Sequence, residues 1–546
     1  MTVVNINSLT INSMSGVQGY GPFANNRNIT SVDLAYVPWT NNSMYYAFYN
    51  CNNLTSVTNI NENITNMSYT FHNCKSLVNA PSISNSVTNM GWTFARCNNL
   101  VNAPVIPNSV TDMTYTFSEC NNLVNAPAIQ NRVNIMAYTF YGCNSLVNAP
   151  VIPNSVTNML GTFHNCTSLV NAPVIPYKVF GYINDYSVSL FKYCSSLTGD
   201  IYFHTVKIIS ASHCFYNSPL QKNVYLPYNQ LLGIYTDTYN AFNNAGYKPS
   251  EVRNGVYIKE NPYFLSTNDF WWDSYYNIIY KYLGSNSDIV VSNTINGHNI
   301  SLLDLTLFNI PNTITSIDFG NVIVSGNMRL KFNNYIQLQS ATNLNPNSDV
   351  TSMTGTFNGC SSLVNAPNIP NSVISTESTF QNCTKLVNAP VIPNSVTNMA
   401  FMFKFCTNLV NVPVIPNSVT NMGWAFEWCT NLINAPVIPN SVTNMMGTFN
   451  CCYNINTAPV IPDNVTIMMN TFYSCNNLAG NIYIKSFNVT NAYRCFYFTT
   501  NTKNVYIPFT YKENGVNTIT YNSFKQYYGS GENGVTLVNY TDLYNE

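Results

Sequence analysis

The phrase "NMGWTFARCNNLVNAPVIPNSVT", residues 89–111, returns almost unchanged along the chain, and a repeat of this kind decides the fold class before any single residue does. Registered on Met-x3-Phe-x2-Cys-x2-Leu, units begin at Met44, Met67, Met90, Met113, Met136 and Met159, each 23 residues after the last. Phe48, Phe71, Phe94, Phe117, Phe140 and Phe163 keep the same step, and two looser units follow at Phe191 and Phe215. A second block carries Phe332, Phe357, Phe380, Phe403, Phe426, Phe449, Phe472 and Phe496 at that position. The blocks start alike, "ITSVDL" at 29–34 against "ITSIDF" at 314–319, and end alike, "KNVYLP" at 222–227 against "KNVYIP" at 503–508. The chain is a tandem duplication of one array of about eight units.

Such a unit cannot bury its own apolar face. Met, Phe, Cys, Leu and Ile leave water only when the next coil stacks on them, so the fold class is a repeat solenoid. Two tandem solenoids are predicted, built from short strands and short helical turns, each closed by a C-terminal cap. Met-x3-Phe-x2-Cys has one-turn helical spacing and predicts a short helix or 3₁₀ turn. In "LVNAPVIPN", residues 100–108, Leu100, Ala103, Val105 and Asn108 follow L-x-x-L-x-L-x-x-N. Pro104 cannot donate to a ladder, which limits the strand there to roughly three or four paired residues.

The domain organisation read from these signals is an N-terminal segment over 1–27, a first solenoid over 28–258, an aromatic linker or cap over 259–283 and a second solenoid over 284–546. Exposed ends of an array invite edge-to-edge association, and the segments after each block read as a short helix followed by a strand, the capping elements. Trp271 and Trp272, in "NDFWWDSYY", form the densest aromatic cluster and are the candidate partner contacts.

Only 8% of residues are charged, against about 25% in an average soluble protein, and the net charge is -1. That removes the electrostatic footprint of a nucleic-acid binder. No stretch approaches the roughly 20 apolar residues of a membrane helix, so membrane insertion is not expected. The opening residues have neither the basic nor the apolar region of a secretory signal, and the C-terminus carries no anchor.

"SVTNMGWTFARCNNL" resembles the BspA-like, DUF285-type leucine-rich repeat, and "YKYLGSNSDIVVSNTINGHNISLL" is similar to the segment leading into such arrays. The resemblance covers about residues 28–226 and 275–508. It implies a curved α/β or β-rich solenoid used for attachment, on bacterial surfaces, in some protozoa, or in phage virion appendages.

Thirteen of the sixteen cysteines sit three residues after a repeat Phe, Cys214 and Cys495 precede one, and Cys451 is off the pattern; one inward position shared by every coil predicts reduced, buried thiols. The five histidines show no metal-ligand spacing, and His72 and His164 read as surface variants. Asp33 and Asp318 recur at equivalent places and predict turn roles. No catalytic residues, metal site or cofactor are expected. The candidate ligand-binding residues are the aromatics that change from coil to coil beside a fixed frame, Trp92, Tyr115, Tyr138 and Trp424, which suit sugar stacking or protein hot spots. The recurring Asn102, Asn125 and Asn148 suit an amide ladder or a polar binding strip. These features predict a non-enzymatic attachment protein, in first place part of a phage virion tail or appendage contacting a host-surface glycan or protein or other virion proteins. Oligomerisation is compatible with it. A bacterial cell-surface adhesin and a structural virion spacer are the alternatives.

Overall fold

Each 23-residue unit closes one coil, and the hydrogen bonds between coils explain why the period is kept. Met90 N donates to Asp112 O at 3.0 Å, Trp92 N to Thr114 O at 2.8 Å, Phe94 N to Thr116 O at 2.9 Å and Arg96 N to Ser118 O at 2.7 Å. The intervening amides turn back on their own coil: Thr93 N donates to Met90 O at 3.1 Å, Ala95 N to Trp92 O and Cys97 N to Phe94 O. With alternate N–H groups committed to the next coil, a helical i→i−4 ladder cannot form, so the predicted helix is replaced by a run of β-turns. Residues two and six after each Met take the left-handed conformation that a third turn position requires, as at Trp92 and Arg96, both at φ 61°, and at Tyr115, Glu119 and Tyr138.

The computed structural model describes residues 3–5, 21–35, 39, 42–182, 189–249, 251–412, 414–509 and 517–540; of the expected N-terminal segment, 1–2 and 6–20 lie outside them. The chain divides into two compact units, Met1–Phe264 and Leu265–Glu546. The regular coils pair through single bridges, one series through Asn79, Asn102, Asn125, Asn148 and Asn171, rather than through three or four residues. Turns on one side and Pro104 on the other leave no room for more. Among the described residues, longer parallel strands occur towards the ends, as where Gly199–Tyr202, Lys222–Leu226 and Val256–Glu260 pair.

The core of the first unit is a column of phenyl rings. It begins earlier than the Met-Phe-Cys pattern does, at Phe23, whose ring lies 5.0 Å from Phe48, and runs to Phe215 at separations up to 5.9 Å. In the second unit the column runs from Phe332 to Phe496. The repeat Met, Cys and Leu side chains beside it are buried. The segment at 259–283 is shared: Val256–Glu260 belongs to the first unit's last sheet, whereas Phe270–Asp273 pairs antiparallel with Ile278–Tyr282, which continues in parallel to Leu302–Asp304 and leads the second unit.

Each array ends in a helix, α1 Asp237–Asn244 and α2 Ile519–Tyr528, whose N-caps Thr236 and Thr518 accept from Tyr239 N and Tyr521 N. The helix region replaces the missing next coil. Phe215 N donates to the Tyr247 hydroxyl at 3.2 Å and Phe496 N to the Tyr528 hydroxyl at 2.8 Å, where inner coils use a carbonyl. Thr238 and Thr520 likewise accept from Ile208 N and Val489 N. A buried lysine closes each exit: Lys222 Nζ donates to the carbonyls of Ser218, Leu220 and Asn254, and Lys503 Nζ to those of Thr499, Asn501 and Asn533.

Candidate functional site

The residue two after each Met sits at the outer corner of its turn, and in the first unit this corner is aromatic in five successive coils. Tyr46, Tyr69, Trp92, Tyr115 and Tyr138 stack with centroid separations of 4.6, 5.4, 3.8 and 4.3 Å. Interplanar angles of 6–13° make this a ladder of offset rings, each half-buried. Trp92, Tyr115 and Tyr138 are therefore brought together, but not as open platforms for sugar stacking: each is stacked on a neighbouring rung, which leaves ring edges and polar tips to the surface. Tyr46 and Tyr69 extend the ladder and carry the same signal, their place two after Met. Tyr45 covers the first rungs edge-on while remaining largely exposed. Burial, with the Tyr45 hydroxyl bond next, holds the Tyr46 phenol well above its usual pKa.

Positions five and six after Met flank the ladder. His72 is buried, not a surface variant; it stacks on Tyr49 at 4.8 Å and leans on Tyr69 and Trp92. Burial, and then the Arg96 guanidinium, push its pKa down to about 4, so it is neutral at pH 7. His164, also buried, stacks on Tyr141 in the same way. Arg96 pairs with Glu119 of the next coil at 3.3 Å.

In the second unit the same corners carry Leu330, Gly355, Ser378, Phe401, Trp424, Gly447 and Asn470, so no continuous ladder forms. The Trp424 indole lies over Gly447, where a Cβ would fall 2.1 Å from Cε3. Beside it Lys404 Nζ sits 2.6 Å from Glu427 and within 6 Å of the Phe401, Phe405 and Trp424 rings. This charged pair was not among the residues predicted from sequence, because neighbouring coils carry neutral amides at its position.

The asparagine run forms an amide ladder: Asn102 Nδ2 donates to Asn79 Oδ1 at 3.1 Å and Asn171 to Asn148 at 2.8 Å, with Asn125 in the same series of bridges. Trp271 and Trp272 are wholly buried, Trp272 among Ile279, Leu303 and Leu305 of the second unit's core. Enclosed indoles offer no face to a partner, which corrects their assignment as partner contacts. Asp33 and Asp318 accept from the N–H groups of Ala35 and Gly320, two residues on, as turn residues do.

The cysteines have a role that spacing did not reveal. All sixteen are free and buried, and those of the repeat donate to the preceding coil, Cys97 Sγ to Phe71 O and Cys120 Sγ to Phe94 O, both at 3.1 Å. Where the position is serine, Ser218 Oγ donates to Phe191 O at 2.7 Å. The Thr three after Met, present in most coils but replaced by Ala47, Lys331, Met402 and Ala425, does the same for the Met carbonyl, as Thr93 does to Met67 O. Among the described residues no three His, Cys, Asp or Glu side chains converge as a metal site, and no helix is long and apolar enough to cross a membrane.

The sequence pattern described as BspA type leucine rich repeat region matches in six copies, over residues 2–124, 113–246, 294–432 and 401–528. Among solved structures the chain is similar to a leucine-rich repeat protein of T. pallidum, at 22% identity over 40% of this chain and 91% of that one, with a TM-score of 0.27. It is similar to a leucine-rich repeat protein from Bacteroides ovatus, at 18% identity over 79% and 87%, TM-score 0.23. A leucine rich cell surface protein from Faecalibacterium prausnitzii matches at 18% identity over 80% and 89%, TM-score 0.21. No curated protein matches.

Proposed function

Because the chain belongs to the BspA-type leucine-rich repeat family, we propose that it is a non-enzymatic binding protein whose first array attaches to its target through the aromatic ladder and its flanking residues. The observation that carries this reading is the division of labour within each coil. Met, Thr, Phe, Cys and Leu hold the core and the inter-coil bonds, while positions two and six after Met change from coil to coil and reach the surface together over a varied, largely buried position five. A frame of that kind lets a binding face vary without altering the fold. The ladder presents aromatic edges, phenol groups and the Arg96–Glu119 pair, a mixture suited to an uncharged glycan or a protein surface. Few charges are available for screening, so attachment depends weakly on salt.

The setting proposed is a virion tail or appendage that meets the host surface. Antibody-labelled electron microscopy tests it: label on particle tips supports the setting, label on intact cells makes the chain a cell-surface adhesin, and label confined to a particle's interior joints makes it a spacer. The binding face is tested by replacing Trp92, Tyr115 and Tyr138 together with Ser. The expected result is a folded protein, by far-ultraviolet circular dichroism, with at least tenfold weaker attachment to host cells or isolated wall glycans, an order-of-magnitude figure for losing roughly 1.4 kcal/mol. Normal attachment by the folded variant would falsify the assignment of this face.

A further inference from the structure

The same coils carry a second face, and it varies less than the first. In most of the "VNAPVIP" segments the residue after the repeat Leu and the one after Pro are exposed and aliphatic, although Val170 and Val174 are half-buried and Ser82, Ala128 and Asn368 follow Pro in three coils. Val105 is 84% exposed, Val151 87% and Val414 86%, with Val391 and Val437 close behind, while Val101, Val124, Val147, Val364, Val387 and Val410 form a parallel exposed row. The Asn ladder runs between the rows. None of the ten equivalent segments, from 78–83 to 456–462, contains a charged residue. Among the described residues, the ion pairs of the array lie instead on its variable positions, at Arg96–Glu119 and Lys404–Glu427.

Exposed β-rich edges and faces are ordinarily protected by lysines or other charges. Two aliphatic rows flanking an uncharged amide ladder lack that protection and are open to association. Three properties identify what fits this strip. The strip carries no charge, so its electrostatic complement is another uncharged surface; a charged partner would lose hydration with nothing to pair. Its rungs recur once per coil, about 4.8 Å apart, so a partner meets every rung only if it repeats at the same spacing. The ladder bond from Asn102 to Asn79 uses one N–H and one lone-pair direction of an amide that has two of each, leaving capacity for an identical ladder opposite. A surface with all three properties is this strip itself.

We propose that the Val–Asn–Val face is a homotypic interface, on which the matching face of a second copy of the chain packs. Five segments per unit span about 19 Å, and the four-residue step from Val101 to Val105 about 13 Å. That footprint of about 250 Å² per unit is well below the roughly 800 Å² per partner of a stable complex, so each contact is weak and the association concentration-dependent.

Sedimentation velocity of the full chain from about 1 to 100 μM tests it, a range set by the micromolar affinity such a footprint supports. The wild-type chain should shift from monomer towards dimer or larger species across that range. A Val105→Lys, Val151→Lys, Val391→Lys, Val414→Lys, Val437→Lys variant changes only strongly exposed side chains in both units; it should keep the wild-type circular dichroism and remain monomeric to at least tenfold higher concentration. The Trp92, Tyr115, Tyr138→Ser variant should self-associate normally, which separates this interface from the attachment face. A wild-type chain that stays monomeric throughout overturns the proposal, as does a folded lysine variant that associates like wild type. Binding to an insoluble repeating polysaccharide, lost in the lysine variant without any self-association, also overturns it and assigns the face to a glycan.

Discussion

At the scale of the residue, the repeat cysteine is a hydrogen-bond donor as much as a packing group. Its inward place and small size were legible from the spacing; its acceptor, a carbonyl 26 residues back, was not, because a one-dimensional pattern does not show which atoms two coils bring together. Replacing Cys97 by Ala removes one of the two donors to the Phe71 carbonyl, which keeps Cys74 N, and should cost about 0.5–1.5 kcal/mol, whereas Ser, which serves the same position at Ser218, should cost less. Urea midpoints of the two variants decide it, and an Ala variant as stable as the Ser variant would remove the donor role. Burial also pushes these thiols up, Cys51 to about 11 and Cys97, Cys194, Cys360 and Cys495 to about 12. Unfolded thiols ionise from about pH 8.5. Above that the unfolded chain holds fewer protons than the folded one, so stability is full below about pH 8.5 and falls as pH rises towards the folded values. Lys222 and Lys503, pushed down to about 8 by burial, and Lys331, also lowered by burial, act in the opposite direction up to about pH 10.4, but three groups oppose sixteen. The urea midpoint, measured with reductant present, should be level from about pH 6.5 to 8 and decline steadily to pH 10.5; a midpoint that holds or rises would show that the thiols are not buried in the folded state.

At the scale of the element, the caps were legible and the turns were not. A helix followed by a strand after each block could be read from the matched endings, but Met-x3-Phe-x2-Cys spacing is shared by a one-turn helix and by successive β-turns that aim every second N–H at the next coil. Composition could have hinted at the difference, since Gly142, Gly161, Gly355, Gly359 and Gly447 stand two or six residues after the Met position, where φ is positive. Gly447 is constrained twice over, by its φ of 59° and by the Trp424 indole above it. Gly447→Ala should therefore lose at least 1 kcal/mol, partly recovered when Trp424→Ala is added, since relief of the clash leaves only the backbone cost. Strict additivity in that double-mutant cycle would show that the indole does not lie on the glycine. In the cap, Tyr528→Phe removes the acceptor for Phe496 N while keeping the ring, and the buried unpaired N–H should cost about 1–3 kcal/mol. Equal unfolding midpoints for Tyr528→Phe and wild type would mean that the helix caps by ring packing alone.

At the scale of the whole molecule, duplication gives two units, each with its own phenyl column, cap helix and buried exit lysine, and their apolar cores form separate clusters. The duplication was legible because its start and end phrases recur in order; that the first column begins at Phe23 was not, since that coil has lost the Met and Cys which mark the others. Within a solenoid, stability is a sum of coil terms and nearest-neighbour terms, so a defect at a cap opens the array from that end. Lys503→Met keeps most of the side-chain volume and removes the ammonium that serves three carbonyls of the second exit. The loss is about 3 kcal/mol, or roughly a hundredfold in local opening, if the exposed carbonyls cannot all find water. Hydrogen exchange followed by mass spectrometry should then show faster exchange in peptides from the last coils of the second unit, fading towards its start, with the first unit unchanged. Lys222→Met should produce the mirror result in the first unit. If either variant accelerates exchange equally in both units, the chain opens as one cooperative body, and the two arrays share more than their ancestry.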